Sequence, residues 1–145
     1  MMAALVRFSS SDDLSYLSDH LRLADRKELE AHGVPPLPAL TMGFQSSLPC
    51  YTIEHGGTPI AMFGVAPRDE DIGFIWLLGT DEISTISRQF LRESRDWLEK
   101  ISSPYKMVCN MVHEENTVHI KWLKFLGFTF LKHTKPFIEF ARITT

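Results

Sequence analysis

Leu14, Leu17 and Leu21 fall three and four residues apart behind a run of serines and aspartates. That spacing predicts an amphipathic helix with Ser11 as its N-cap. Leu23 and Leu29 continue a helical pattern after a bend, and Gly33 reads as its stop. Ahead of them, "AALVRF" from Ala3 to Phe8 reads as a first strand. "VPPLPAL" reads as a proline-rich connector, and Thr41 to Leu48 as a short helix. The period then changes to two. In "PCYTIEHGGTPIAMFGVAPRDEDIGFIWLLGT" three apolar runs are separated by Gly56-Gly57 and by the charged turn "PRDED". Strands at 49–55, 59–66 and 71–79, joined as an antiparallel meander, are the expectation.

The longest helix is expected over 82–101, where Ile83, Ile86, Phe90, Trp97, Leu98 and Ile101 recur near helical period. Arg88, Arg92, Glu93, Arg95 and Glu99 lie mostly off that stripe, and Pro104 ends it. "YKMVCNMVH" reads as a strand and "NTVHIKWLKFL" as a helix opened by Asn116 and stopped by Gly127. "FTFLKH" and "FIEFARI" make a final hairpin across "TKP". Trp76, Trp97 and Trp122 fall on apolar faces and are expected in the core. The element order is that of a mixed α/β or α+β fold, taken as a single domain over residues 1–145.

Composition narrows the function. A chain of 145 residues, 44% apolar and 23% charged, has the make-up of a soluble globular domain with a real core. A net charge of -3 with scattered Lys and Arg argues against a nucleic-acid surface. Cys50 and Cys109 have neither disulfide-framework nor zinc spacing, and both sit in strand-like runs, where buried thiols are expected. "MMAALVRFSS" is too short and polar for a signal-peptide core, and no apolar run approaches a membrane span. A soluble protein of a reducing compartment is the expectation.

The order of elements, with "NTVHIKWLKFLGF" near the end, resembles the GNAT (Gcn5-related N-acetyltransferase) fold. The strand "YKMVCNMVH", Asn116 at the next helix start and the pair Gly127-Phe128 carry that likeness. The ending is more similar still to the small internal virion protein A family of short-tailed phages. Its pattern N-T-x-H-I-x-x-L-K-x-x-G is matched by Asn116, Thr117, His119, Ile120, Leu123, Lys124 and Gly127. The resemblance implies a central mixed, mostly antiparallel sheet of seven strands with helices on both faces. It also implies a phage protein of the host cytoplasm, virion-associated or not, with acetyl-CoA as the cofactor to test.

In a GNAT enzyme the CoA pyrophosphate rests on backbone N–H groups at the start of the long central helix, in a pattern like Q/R-x-x-G-x-G/A. This chain reads "LLGTDEISTISRQF" there, with Gly79 as its one glycine. Gly79, Thr80 and Arg88 are the candidate phosphate contacts, and Asn116 is the candidate for the pantetheine arm. Asn116 has a plainer reading as an N-cap, and Arg88 as part of a solvated helix face. Asp81 and Glu82 stand where phosphates would bind. Like charges about 5 Å apart repel by roughly 3 kcal/mol at an effective dielectric near 20, against about 0.3–2 kcal/mol from the helix dipole.

Many family members carry a tyrosine four residues before the Gly of the Gly-Phe pair, which protonates the leaving thiolate; this chain has Leu123. His113, beside Glu114 and Glu115 at a strand end, is the candidate catalytic base, and a merely polar loop explains it as well. His113 and His119 are six apart, not the four of a helical ligand pair, and "GVAPRDEDIG" lacks EF-hand spacing, so no metal is expected. Two functions follow. One is a phage protein whose acyl-CoA site is degenerate and which binds a phage or host protein, in virion assembly or otherwise. The other is an active N-acyltransferase with an atypical phosphate loop. An α+β domain unrelated to either family is the third reading. The oligomeric state is not legible.

Overall fold

The computed structural model describes residues 4–144, apart from the Ser87 side chain. Residues 1–3 and 145 lie outside it, so the predicted first strand can be judged only from Ala4 onward. The chain runs β1 (Leu5–Phe8), α1 (Asp12–His20), α2 (Leu23–Ala31), α3 (Pro36–Ser46), β2 (Cys50–His55), β3 (Thr58–Pro67) and β4 (Ile72–Gly79). A 3-10 turn (Asp81–Ile86) leads into α4 (Ser87–Ser102), then β5 (Met107–His113), α5 (Thr117–Phe125), β6 (Thr129–Thr134) and β7 (Phe137–Ile143).

The seven strands form one mixed sheet ordered β1-β2-β3-β4-β5-β7-β6. The meander over β2, β3 and β4 is antiparallel as its turn residues predict, and β6–β7 is the expected hairpin. Only β4 and β5 run parallel, because α4 carries the chain back across the sheet between them. Helices cover both faces. Leu17 of α1 and Leu40 of α3 pack on Cys50 and Met62. On the opposite face Leu98 of α4 and Leu123 of α5 close over Val65, Val108 and Phe140. Tyr51, Ala61 and Phe63 extend that core beneath Phe90 and Trp97. Among the described residues no helix is long and apolar enough to cross a membrane.

Three expectations change. "VPPLPAL" is not a connector: α3 starts at Pro36, since proline is harmless in a first turn whose N–H groups have no helical partner. The long helix does not run as α from 82; its first six residues wind as 3-10, and α geometry begins at Ser87. Cys50 is buried, but Cys109 is only partly so. Ser11 occupies the N-cap position of α1 without a side-chain capping bond. Ser10 does that work: its Oγ accepts from the Asp12 N–H (3.3 Å), and its own N–H donates to Asp13 Oδ2 (2.9 Å). Gly127, at φ +86°, ends α5 with paired bonds from Gly127 N–H to Lys124 O and from Phe128 N–H to Leu123 O.

Candidate functional site

The site is built by a sheet that comes apart. β4 and β5 pair over three residues each, Ile72–Phe74 against Met107–Cys109. Past that joint the Asn110 amide donates to Ile75 O at 2.8 Å, and the two strands then diverge. The gap opens into an apolar cavity of ≈ 260 Å³. Ile75, Leu77, Phe90, Trp97, Trp122 and Leu123 line it, and Asp25, Glu28 and His119 make its polar end.

α2 lies across the far end of the gap and is tied to both banks. On the β4 bank, the Arg22 N–H donates to Gly79 O (2.9 Å) and the Gly79 N–H donates to Asp25 Oδ2 (3.0 Å). Asp25 is 1% exposed and also accepts from Arg22 Nε (3.2 Å) and Nη2 (2.8 Å). On the β5 bank, Glu28 Oε2 accepts from Asn116 Nδ2 (2.9 Å). One turn on, His32 stacks on Phe137 at 4.0 Å between ring centres.

These surroundings shift the ionisable groups. Burial pushes the Glu28 carboxyl above the usual range; the Asp25 charge adds to that, and the Asn116 and His113 donors oppose it. Burial pushes His119 down to about 4, so its imidazole is neutral at pH 7. Its Nδ1 is buried and has no hydrogen-bond partner among the described residues, and neither has Trp122 Nε1. Arg22 is raised, since hydrogen bonding and charge attraction from Asp25, with Asp81 and Glu28 behind it, outweigh the burial that would lower it.

Each residue singled out from the sequence can be located against that frame. Gly79 sits at the end of β4, but Arg22 and Asp25 already use both of its backbone groups. Thr80 is buried, gives its N–H to Ile60 O (2.8 Å) and accepts the Glu82 N–H on Oγ1 (3.3 Å), starting the 3-10 turn. Asp81 and Glu82 are exposed at that start, and Arg88 is exposed in the first turn of α4. Asn116 holds the N-cap position of α5, yet its side chain caps nothing and turns to Glu28. His113 lies at the end of β5, where its Nδ1 accepts the Glu115 N–H (3.1 Å) and its ring meets Phe137 edge-on. Leu123 is buried in the core and offers no proton.

Gly79 and Asn116 therefore touch Asp25 and Glu28, which line the cavity, without lining it themselves; His113 is not among its lining residues either, and Arg88 is exposed. Sequence reasoning missed Arg22, Asp25 and Glu28, and met His119 only within the family pattern and in a rejected histidine pair. Arg22, Asp25 and Glu28 read as part of an ordinary solvated helix, and only the docking of α2 into the gap brings them inward to meet His119 of α5.

A mixed sheet that splays after a short parallel joint, with helices on both faces and a cavity at the splay, is the GNAT architecture. Solved structures agree at the level of fold. The PaiA N-acetyltransferase of Thermoplasma acidophilum, in complex with coenzyme A, matches with a TM-score of 0.72 at 14% identity, over 98% of this chain and 99% of that one. The ribosomal-protein-S18-alanine N-acetyltransferase of Escherichia coli matches at 0.66 and 16% identity, over 98% and 95%. A GNAT family acetyltransferase of Elizabethkingia anophelis with acetyl-CoA bound matches at 0.67 and 14%, over 99% of both chains. Within that fold the chain belongs to the phage family described as "Bacteriophage T7, probable scaffold protein Gp13", whose profile matches residues 50–134. No curated protein sequence matches it.

Proposed function

We propose that this phage protein acts by binding, in virion assembly or on a host protein, and that its GNAT fold has lost the use of acyl-CoA. The observation that carries the reading is the state of Gly79. Its N–H and C=O are already taken by Asp25 and by the backbone of Arg22, so the edge of β4 has nothing to offer a ligand there. The helix start beside it agrees. An α-helix concentrates positive partial charge at its first free N–H groups. Here that place holds a 3-10 turn headed by two exposed carboxylates, Asp81 and Glu82, and α geometry starts only at Ser87. Leu123 cannot protonate a leaving thiolate, and Asn116 is engaged by Glu28. Gly79, Thr80 and Asn116 then have structural roles, and Arg88 belongs to a solvated helix face. On this reading the protein works as one domain, in the host cytoplasm or within the particle.

The alternative, an active N-acyltransferase, keeps one specific support. The splayed strands still enclose a cavity, and a carboxyl with a raised pKa, Glu28, stands at its polar end as a base would. Calorimetric titration of the purified protein with acetyl-CoA separates the two. The binding-only reading expects no heat of binding up to millimolar ligand, in the unmodified protein and in an Asp81→Gly, Glu82→Gly double variant alike, since neither change frees Gly79. Micromolar binding by the unmodified protein would overturn it, and would call for amine substrates with His113→Ala and Glu28→Gln as controls.

A further inference from the structure

We propose that Asp25, Glu28 and His119 form a site for a divalent transition-metal ion at the polar end of the cavity. One ligand atom from each lies within 4.8 Å of the other two. Zinc binds carboxylate oxygen and imidazole nitrogen at about 2.0–2.2 Å, which sets ligand atoms roughly 3.5 Å apart in a tetrahedron. Closing the set therefore takes movements of under about 1 Å per atom.

The second observation is His119 itself. No hydrogen bond holds its ring among the described residues, and the buried Nδ1 has no partner. Leaving a buried polar atom unsatisfied is unfavourable, and proteins rarely keep one without a use for it. An imidazole ligand offers one ring nitrogen to the ion and keeps the other for a hydrogen bond or solvent. Its neighbours on the site are carboxylates, the common partners of imidazole at zinc.

Arg22 fits as the outer support rather than as an obstacle. Asp25 accepts three hydrogen bonds, two from Arg22 and one from the Gly79 N–H, which use three of about four lone-pair positions on a carboxylate. The position left over is held in a fixed orientation, as ligating carboxylates commonly are. Asn116 does the same for Glu28 through its 2.9 Å bond. With both acids ionised and Arg22 charged, the group carries a net charge of -1, which a divalent ion offsets. The adjoining cavity has room for water on the remaining coordination positions. This site needs no acyl-CoA and is independent of whether that cofactor binds.

The test is equilibrium dialysis of chelator-stripped protein against Zn²⁺, with bound metal counted per chain. Co²⁺ serves as a spectroscopic stand-in whose visible absorption reports nitrogen and oxygen ligation. One equivalent is expected, with affinity reduced at least tenfold in Glu28→Gln and in His119→Gln. Glu28→Gln keeps the shape of the side chain and an acceptor for Asn116, so its folding can be checked by circular dichroism beside the parent. Absence of stoichiometric binding would overturn the site. So would binding that folded Glu28→Gln and His119→Gln leave unchanged, since the metal would then be adventitious.

Discussion

His119 illustrates how a single side chain can set the acid response of the molecule. Its pKa falls from 6.5 to about 4 on folding because its environment disfavours the cation. The unfolded chain therefore binds a proton that the folded chain refuses between those two values. The stability this residue contributes is fully present above pH 6.5 and is lost as pH falls toward 4. Between pH 6.5 and 5 the loss is roughly 2 kcal/mol, from about 1.4 kcal/mol per pKa unit. Urea denaturation of the metal-free protein at pH 7 and pH 5 checks it: His119→Gln should lose about 2 kcal/mol less than the parent over that interval. Equal losses would mean that the ring is protonated in the folded state. Glu28 has the opposite sign. Its raised carboxyl is most favourable to folding below its unfolded pKa, and that contribution is lost as pH rises through the folded value. Glu28 does not stand out in the sequence, and His119 does so only through the family pattern. Glu28 lies in "ADRKELEAHG", a run dominated by charge, and His119 sits beside Val118, which is exposed. Glu28 is engaged by Asn116, eighty-eight residues away, a contact that no local pattern encodes.

At the scale of elements the sequence was more forthcoming, and its misses have local causes. Strands β2 to β4 were legible because alternation and glycine turns act within a few residues. α5 was legible because Gly127 needs a positive φ that other residues resist. The prolines of α3 misled because a first turn and a connector accept them equally. The 3-10 start of the long helix was hidden because Ile83 and Ile86 fit an α stripe about as well as a 3-10 one. Ser84 Oγ and Thr85 Oγ1 donate to the carbonyls of Asp81 and Glu82, three residues back, which suits the tighter winding. Within α3, Gly43 lets Trp76 lie flat against the helix, where the indole Nε1 donates to Ser47 Oγ at 2.8 Å. A Cβ there would stand 2.8 Å from Trp76 Cε2. Gly43→Ala should therefore destabilise by about 1–3 kcal/mol through overpacking, although alanine is the better helix former by about 1 kcal/mol. Thermal denaturation reads the sign, and a rise in melting temperature would show that Trp76 moves aside freely.

For the whole molecule, the likeness to solved acetyltransferases and the family membership describe different things. The first fixes how the chain is folded. The second places it among phage proteins described as scaffold proteins. The fold class was legible because the element order is nearly sufficient for it. The state of the cleft was legible only in part. "GTDEIST" showed acids where phosphates would bind, but not that Asp25 and Arg22 fill the edge of Gly79 from within. On the binding-only reading proposed above, acetyl-CoA gives no heat of binding, the outcome calorimetry tests.

The three-residue joint between β4 and β5 has a further consequence. It makes the protein nearly two pieces, one ending after α4 and the other holding β5, α5, β7 and β6. The chain between them passes through an exposed turn at Ser103-Pro104. Residues 1–103 and 104–145, co-expressed as separate polypeptides, should find each other and co-purify, drawn together by Leu98 against Val108 and Leu123. Fragments that purify apart would mean that the covalent link is needed to close the sheet. Fragments that hold together would offer a split tag, whose two parts could be fused to different particle proteins to report when those proteins meet.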